Sequence, residues 1–385
     1  MFYGFLLIKI RFMRGRGRGN RIPSDTSAAV AARARREAET QEQRDERVLG
    51  GDYRQVLSVI PRATPLQIVR KCLKSSPLAQ YFQNIALTTN MRAGPEEADF
   101  AKWLLDIGNG NLPRPLNPKT EHSIVLPSQC VCENVIEELY PLNFDPNQET
   151  MQNRLILTPL NEDARLINEQ ILDRFAGEKK IFKSIDIVND MPLPGEQRVQ
   201  QNVIEDPNRH AVLQQMYPTK FLNSVTLSGL PPHELNLKKG AIVMMMRNLS
   251  TAQGLCNGTR MIVEDVQTKV IRARIISGTF KGAVHLIPRL TLTTADEPDV
   301  PFNLCRRQFP IKLAYAMTIN KAQGQTADKI GLYLRNPVFT HGQLYVACSR
   351  VRSYDSLRIQ VDESDRQGKV NNETQTDNIV FKEIL

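Results

Sequence analysis

Apolar positions recur with a helical or strand-like period from about residue 48 onward. A capping threonine and a following proline, Thr64-Pro65, predict the start of one helix. A second helix follows Gly94-Pro95 and ends at Gly108, with apolar residues spaced i, i+3, i+4 and i+7: Phe100, Trp103, Leu104 and Ile107. Residues 155–158 predict a short buried strand, which leads into a helix with inward-facing apolar side chains at Ala164, Ile167, Ile171 and Phe175. A strand followed by a helix predicts the α/β class.

Residues 236–305 have a different pattern, because short strand-like runs replace the helices. Residues 241–246 are apolar, and Asn257-Gly258 is a strong hairpin signal. Apolar residues alternate with arginines over residues 270–275, which is the period of a half-buried strand. Several short strands at close spacing predict a small β-barrel that is inserted in the α/β body.

The α/β pattern returns after residue 305. Residues 313–318 and 330–334 are apolar enough to predict strands, and residues 341–351 predict a helix. The polar run 362–378 predicts a loop.

The net charge of the chain is concentrated at its beginning. The 385 residues are enough for two or three domains. Of the formal charge of +9, six positive charges lie in residues 1–21, so the rest is nearly neutral and gives little indication of a nucleic-acid partner. Residues 1–47 are biased in composition and predict a tail that is disordered or forms a solvated helix. Their Arg-Gly repeats suit either loose nucleic-acid binding or a solubilising role.

Six cysteines in a chain of this length do not indicate a disulfide scaffold: Cys72, Cys130, Cys132, Cys256, Cys305 and Cys348. The Cys-x-Cys pair has no second Cys or His pair at a zinc-binding spacing, so no metal site is predicted. We expect reduced thiols in a nuclear protein, with a mitochondrial address as the alternative because the N-terminus is basic. No apolar run approaches the ~20 residues of a membrane span, so no membrane partner is expected.

Three segments place glycines and polar residues where phosphate could bind. In residues 50–55 two glycines allow a tight turn, from which Gln55 can reach a phosphate; an ordinary turn is the alternative. Residues 318–326 follow an apolar strand, and the carboxyl ends of strands are where α/β sheets bind ligands. Residues 341–350 end in Arg350, which we expect on the polar side of a helix and free to point at a neighbouring domain. The alternative is a surface arginine in a weak ion pair.

The last two segments together resemble motifs of the Pif-type (petite integration frequency) DNA helicases, including the branch fused in Helitron transposons. The resemblance includes residues 87–92 and 221–263 and runs nearly continuously from about residue 48 to about residue 359. It implies two RecA-like domains of the P-loop NTPase type, with ATP and Mg²⁺ between them and single-stranded DNA running across both.

The resemblance also divides the chain into parts. It implies a tail at 1–47, the end of the first RecA-like domain at 48–83, the second RecA-like domain at 84–235 and 306–385, and a small Src-homology-type barrel (2B-like) at 236–305. The implied catalytic residues are Gln55, Arg92 and Arg350. The implied ATP-binding residues are Gln55, Gln323, Gly324 and Arg350. The implied DNA-binding residues are Thr318, Asn320 and Lys321.

The sequence departs from the family pattern in one respect. It contains no G-x-x-x-x-G-K-[ST] phosphate loop, since Gly368-Lys369 is followed by Val370. We therefore expect the carboxyl-terminal part of an ATP-dependent 5′–3′ DNA helicase that is catalytically incomplete alone. By family, such an enzyme would act in repair, recombination, telomere maintenance or transposition. The alternatives are a non-catalytic fragment that binds single-stranded DNA and a decayed transposon remnant.

Overall fold

Helices and strands alternate through most of the chain. The structure, a computed structural model, describes residues 6–11, 46–57, 60, 63–75, 82–86, 94–189, 215–227, 229–294 and 302–385. Within these ranges the α-helices are Pro65–Arg70 (α1), Ala98–Asn109 (α2), Val135–Leu139 (α3), Glu149–Gln152 (α4), Asn161–Asp173 (α5), Thr219–Ser224 (α6) and Gln343–Cys348 (α7).

The strands of the same ranges are numbered in chain order. The first ten are Leu6–Arg11 (β1), Glu46–Gly51 (β2), Phe82–Ala86 (β3), Ser123–Val125 (β4), Arg154–Thr158 (β5), Lys180–Lys183 (β6), Ile185–Asn189 (β7), Glu234–Leu237 (β8), Ile242–Met245 (β9) and Arg260–Val266 (β10). The others are Val270–Ile275 (β11), Val284–Pro288 (β12), Leu290–Thr293 (β13), Asn303–Gln308 (β14), Ile311–Leu313 (β15), Ala316–Thr318 (β16), Lys329–Leu334 (β17), Leu357–Val361 (β18), Gly368–Val370 (β19) and Glu373–Asp377 (β20).

A parallel sheet in the order β16-β5-β17-β18 forms the centre of the larger hydrophobic core. Its strands are apolar almost throughout, as expected when helices cover a parallel sheet. Gly331 in β17 faces α3, where Val135 and Leu139 leave no room for a Cβ atom. The neighbouring side chains of the strand, Ile330 and Leu332, point to the other face and are also fully buried. The predicted α/β class is confirmed.

A second sheet is antiparallel, in the order β12-β11-β10-β9-β15. The alternation predicted for 270–275 is confirmed in β11, where Ile271, Ala273 and Ile275 are buried. The Asn257-Gly258 signal does not make a two-residue hairpin. It ends a longer connection between β9 and β10, in which Gly258 has a φ of 90°.

A buried arginine joins the two sheets. Arg260 of β10 is 4% exposed, and its Nη2 donates to the carbonyl oxygens of Arg154 and Ala314 at 2.9 and 3.2 Å. Tyr140 donates its hydroxyl to the same Arg154 carbonyl at 2.7 Å. These contacts hold the antiparallel sheet against the parallel one at the point where the chain passes from β15 to β16.

Residues 236–305, predicted as one barrel, contribute strands to separate sheets. β13 and β14 pair with β7 instead of joining the five-stranded sheet. The reason is a buried ion pair, in which Arg306 of β14 holds both carboxylate oxygens of Asp186 in β7 at 2.9 and 2.7 Å. Arg306 also donates to three carbonyl oxygens around α6, those of Leu222, Val225 and Pro231.

The loop predicted for 362–378 is wrong, because this stretch contains β19 and β20. The two strands form a hairpin around Asn371 and Asn372, which have φ values of 48° and 67°. Two consecutive residues with positive φ are the requirement of a two-residue hairpin turn, and asparagine tolerates them. The polar composition of β20 favoured the loop prediction, but in the fold its polar side chains are buried and hydrogen-bonded. For example, the Thr376 hydroxyl donates to the Gln367 side chain at 3.1 Å.

The predicted tail 1–47 is wrong for its first apolar stretch. β1 lies between β2 and β3 in a three-stranded antiparallel sheet. The sequence of β1, LLIKIR, is apolar and β-branched and so favours a strand once partner strands are present. Residues 46 and 47 begin β2, and apart from β1 the other residues of the predicted tail, including the Arg-Gly repeats of 14–19, lie outside the described residues.

No helix in the described ranges is long and apolar enough to cross a bilayer. The six cysteines, all within the described ranges, are thiols and form no disulfide bond. Cys348 is fully buried in the core, and burial raises the pKa of its thiol. Burial also raises the pKa values of Cys130 and Cys132 to about 11, so these thiols are poor nucleophiles at neutral pH.

Candidate functional site

The three segments singled out in the sequence lie against one another. The side-chain Nε2 of Gln323 donates to the carbonyl oxygen of Val56 at 3.0 Å. His341 Nε2 lies 2.7 Å from the carbonyl oxygen of Tyr53. The hydroxyl of Tyr345 donates to the Asp52 carboxylate at 3.1 Å. The short segment 52–57 is thereby fixed both to the turn after β16 and to helix α7.

Asp52 is the centre of the first contact region. Its Oδ1 accepts the backbone N–H of Arg54 at 3.1 Å, and its Oδ2 accepts the Gln55 amide at 3.3 Å together with the Tyr345 hydroxyl. Burial raises the pKa of this carboxyl, although the hydrogen bonds from Arg54 and Gln55 oppose the rise. We call Asp52, Arg54, Gln55 and Tyr345 the Asp52 cluster. The cluster holds Gln55, the residue expected to sense a phosphate, in a fixed orientation.

His341 is a neutral linker and not an exposed base. It is fully buried, and its Nδ1 accepts the backbone N–H of Phe381 at 2.8 Å, so the ring proton is on Nε2 and is donated to Tyr53. Burial lowers the pKa of the imidazole. The adjacent Gly342 has a φ of 72°, and a Cβ atom there would collide with the carbonyl oxygen of Arg54. The close approach of residues 54 and 55 to the start of α7 therefore requires glycine.

Arg350 differs from its expected position. It is 3% exposed, and its guanidinium donates to the carbonyl of Val346 at 2.8 Å, the hydroxyl of Ser349 at 2.7 Å and the carbonyl of Gln325 at 3.3 Å. Carbonyl groups at the end of a helix have no intrahelical partner, and a cation close to them is stabilised. The arginine is therefore turned towards its own helix and the 319–325 turn rather than standing free towards a neighbouring domain.

The DNA-binding candidates lie where β16 ends. Thr318 is the buried last residue of the strand, and a short 3₁₀ turn, Ile319–Ala322, follows. The Asn320 side chain accepts a hydrogen bond from Gln343 of α7 at 3.2 Å, while Lys321 is half-buried. The nucleotide-binding candidates Gln323 and Gly324 are exposed further along the same turn, where Gly324 has a φ of 79°.

Two further residues bear on the site. Arg92, the remaining catalytic candidate, lies outside the described residues. Lys312 is not singled out by any sequence pattern, although its titration is perturbed in the structure. Burial and the charge of Lys321 lower the pKa of Lys312 to about 7. Its place in a strand contains no sign of this shift, because burial and neighbouring charge depend on the packing of the folded chain.

The described residues fit the implied cofactors only in part. The amides of Gln55 and Gln323 and the guanidinium of Arg350 are donors that suit phosphate oxygens, but in this structure each donates to a protein acceptor. No group of three or more His, Cys, Asp or Glu side chains in the described ranges could hold a metal ion. The described donors therefore do not form a cradle for ATP and Mg²⁺, and no hydrolytic step follows from them.

A polar cavity of about 290 Å³ lies elsewhere, between α3 and α5. Its lining includes Asp163, Tyr333 and Arg335, and Arg335 approaches the Asp163 carboxylate at 3.5 Å. None of the predicted site residues lines it. The candidate site is thus the contact region of the three segments and not this cavity.

Two family models match the sequence. The model of the PIF1-like helicase matches residues 44–118, and the model of the 2B domain of DNA helicase Pif1 matches residues 220–266. The first match covers segment 52–57, and the second covers strands β9 and β10.

Individual relatives have the same family name. The chain is 35% identical over 170 residues to an ATP-dependent DNA helicase PIF1 of Danio rerio, a match that covers 43% of this chain and 24% of the relative. It is 34% identical over 175 residues to the Homo sapiens enzyme of that name, which covers 44% of this chain and 26% of the relative. The chain spans about a quarter of the length of these two curated relatives.

Solved structures share the fold. The Pif1 helicase of Candida albicans superposes with a TM-score of 0.50 at 20% identity, over 82% of this chain and 64% of that one. A Bacteroides Pif1 helicase, solved with ADP-AlF3 and ssDNA, gives the same TM-score and identity over 82% and 62% of the two chains. In sequence the chain is therefore similar to Pif1-type helicases over these matched regions, and it shares their fold.

Proposed function

We propose that this chain carries the second motor domain of an ATP-dependent 5′–3′ DNA helicase and that it holds single-stranded DNA. Thr318 at the end of β16, together with Asn320 and Lys321 in the turn 319–326, would contact the DNA backbone. The five-stranded sheet, which includes strands β9 and β10 of the region matched to the 2B domain, would be the inserted barrel of that motor domain.

One observation carries this proposal: the turn after β16 is bonded to segment 52–57 on one side and to α7 on the other. Gln323 reaches Val56 at 3.0 Å, and Arg350 reaches Gln325 at 3.3 Å. A change in any one of these three segments therefore moves the others. Such a linkage is what a motor needs if phosphate chemistry at Gln55 and Arg350 is to alter the grip on DNA at Lys321.

The proposal has two parts for ATP. Gln55, Arg350 and Arg92 would act on the γ-phosphate, with Gln323 and Gly324 beside the nucleotide, as the family resemblance implies. An arginine in this role accelerates phosphoryl transfer by about 10³–10⁵-fold, but only when another element holds the nucleotide. The sequence contains no phosphate loop, so we propose that this chain alone does not turn over ATP.

The relatives support the DNA part more directly. The Bacteroides Pif1 helicase that shares this fold was solved with ssDNA. The cations at the end of β16 are suited to a phosphate backbone, because the ammonium group of lysine binds phosphate as a point charge. The near-neutral charge of the chain beyond residue 21 is compatible with this, since single-strand channels depend on local charge and stacking.

Fluorescence anisotropy with a labelled oligothymidine tests the proposal. We expect binding at about 50 mM salt that weakens strongly by about 200 mM, because bound lysines release counterions from the strand. Lys321→Met should weaken binding, whereas Lys329→Met is the matched control, since Lys329 is exposed at the amino end of β17. Binding that does not respond to salt or to Lys321→Met would contradict the proposal.

A parallel ATPase assay distinguishes a chain that hydrolyses ATP by itself from one that only holds DNA. We expect no DNA-stimulated turnover from the chain alone. Turnover that Arg350→Ala abolishes would contradict the claim of catalytic incompleteness while keeping the family assignment. Salt-dependent DNA binding without turnover supports the second motor domain as a DNA-holding part.

A further inference from the structure

Phe339 is an exposed aromatic residue in a fixed segment of backbone. It lies between β17 and α7 and is 55% exposed, although its neighbour Val338 is fully buried. Its backbone N–H donates to the side chain of Gln343 at 2.9 Å. Two residues further on, the buried ring of His341 is bonded to the carbonyl oxygen of Tyr53. The segment that presents the Phe339 ring to solvent is therefore anchored on both sides.

The exposure of Phe339 differs from that of the two other exposed phenylalanines in the described ranges. Phe221 is less exposed, and its ring packs against Phe302 at a centroid distance of 5.7 Å. Phe280 is also less exposed, and it covers Gly254, where a Cβ atom would collide with its ring. These two rings contribute to packing, whereas more than half of Phe339 is open to a ligand. Because single exposed apolar residues are common, the position of Phe339 relative to the site decides its meaning.

One side-chain amide joins Phe339 to the turn after β16. The amide belongs to Gln343, which is buried at the start of α7. Its Oε1 accepts the Phe339 N–H at 2.9 Å, and its Nε2 donates to Asn320 Oδ1 at 3.2 Å. The Phe339 backbone and the Asn320 side chain are therefore separated only by this planar group and its two hydrogen bonds. An exposed aromatic residue thus lies next to one of the residues proposed to contact the DNA backbone.

An aromatic residue beside a phosphate-binding turn is suited to a nucleobase. Proteins that hold single strands without sequence preference combine polar and cationic groups, which follow the backbone, with aromatic side chains on which bases stack. The turn has the first kind of group and Phe339 is of the second kind. Its backbone is already fixed by Gln343, so little conformational entropy is lost when a base packs on the ring.

We propose that Phe339 is a base-stacking residue, whose ring packs against one nucleobase of the single strand that the turn after β16 holds. The inference rests on the proposed function, because the turn must bring the strand to this place. It adds a base contact to a site that otherwise includes only the phosphate backbone. Every base has a π face, so this contact gives no preference for a particular base.

Two strands of equal length distinguish base contacts from phosphate contacts: oligothymidine, and an abasic strand that has the same phosphodiester backbone without bases. We expect Phe339→Ala to weaken the binding of oligothymidine about tenfold at about 50 mM salt, which is within the range for the loss of one stacked base. The affinity for the abasic strand should not change. Phe339→Trp should keep the affinity for oligothymidine, whereas Phe339→Leu, which is apolar without a π face, should lose most of it.

The matched control is Leu142→Ala, which should leave both affinities unchanged. Leu142 is an exposed apolar residue just after α3. The end of α3 is bonded to Arg154 at the amino end of β5, whereas the turn after β16 lies at the carboxyl ends of the parallel strands. The control therefore removes an exposed apolar side chain from the opposite edge of the same sheet.

Phe339→Trp also gives an optical readout of stacking. The unchanged chain has one tryptophan, Trp103, which is 8% exposed. The indole introduced at position 339 would be exposed, so we expect oligothymidine to quench its emission when a base stacks on it. The abasic strand should leave this emission unchanged. Quenching by neither strand, although oligothymidine binds, would overturn the proposal.

The outcomes separate this inference from the proposed function. If Phe339→Ala leaves the affinity for oligothymidine unchanged, or weakens the binding of both strands equally, the stacking role is wrong and the DNA-holding turn stands. If neither strand binds the unchanged chain at low salt, the proposed function itself fails. Thermal unfolding checks the fold of each variant, and we expect no loss for Phe339→Ala because the side chain is exposed. If the alanine variant is less stable, Phe339→Leu against Phe339→Trp makes the same comparison.

Discussion

The Asp52 cluster and the strand residue Lys312 differ in what surrounds their ionisable groups. In the Asp52 cluster a buried carboxylate accepts hydrogen bonds from Arg54, Gln55 and Tyr345. At Lys312, burial and the charge of Lys321 together lower the pKa of the ammonium group to about 7. The hydrogen bonds to Asp52 oppose the effect of burial on its pKa, whereas the charge of Lys321 adds to the effect of burial on Lys312. The difference indicates that the Asp52 cluster holds segment 52–57 in place, whereas the charged form of Lys312 costs stability.

The largest effect is expected from Asp52→Ala. This change leaves the buried Tyr345 hydroxyl and the Gln55 amide without their acceptor, so we expect the free energy of unfolding to fall by about 2–3 kcal/mol. Urea unfolding measures the loss. Asp52→Asn controls for volume and should also destabilise, because its amide N–H₂ would face donors in place of one carboxylate oxygen. An unchanged midpoint for both variants would mean that the cluster does not hold the segments together.

Lys312 should make the free energy of unfolding depend on pH. The pKa of Lys312 is about 7 in the folded state and near 10.5 in the unfolded chain, so between these values the unfolded chain binds more protons and stability rises with pH. Lys312→Met should remove up to about 1.4 kcal/mol per pH unit of this slope. Unfolding curves recorded at several pH values from 7 to 10 would measure it, with Lys329→Met as control. A slope that Lys312→Met leaves intact would contradict the lowered pKa of Lys312.

A smaller pH effect is expected from the linker His341. Its folded-state pKa is lowered by burial, so stability is constant at neutral pH and falls as pH drops below the unfolded value of about 6.5. The protonated ring can no longer accept the Phe381 N–H, which is 2.8 Å away. His341→Gln should lower stability at pH 7.5 and flatten the dependence between about pH 6.5 and the folded-state pKa. An equally steep fall in the variant would assign the effect to another group.

The smallest effect is expected from Tyr345→Phe. It removes one hydrogen bond to Asp52 while the ring and its packing remain, which should cost about 1 kcal/mol. Combining it with Asp52→Ala tests whether the two groups act together. The losses should be less than additive, because the alanine variant has already lost the shared bond.

Sequence patterns predict the elements with strong periodicity and miss those whose stabilisation is polar. Helix α2 follows its i, i+3, i+4, i+7 pattern, and its apolar residues Phe100 and Ile107 are fully buried. The composition of β20 predicts a loop because its buried residues are Thr, Gln and Asp, and buried polar side chains are stabilised by partners that a local pattern does not contain. The sequence signal that could have indicated this hairpin was the Asn371-Asn372 pair, since asparagine tolerates the positive φ values of a two-residue turn.

Prediction of the candidate site from sequence is limited in the same way. Motif resemblance located Gln55, Lys321 and Arg350 in segments that do meet in the fold. It did not predict that Arg350 turns back to its own helix, since that depends on carbonyl groups left open at the end of α7. It also did not predict the lowered pKa of Lys312, which depends on burial and on the charge of Lys321. Contacts between distant segments are decided by packing, which spacing along the chain does not contain.

The most direct test of the account is the affinity of the unchanged chain for oligothymidine, measured by anisotropy at about 50 mM and about 200 mM salt. With several phosphates bound at the turn, the account predicts clear binding at the lower salt and a loss of about tenfold or more at the higher. The same measurement with added ATP should give the same affinity, because the chain lacks a phosphate loop. No binding at low salt, or an affinity that salt does not change, would contradict the claim that the turn after β16 holds single-stranded DNA.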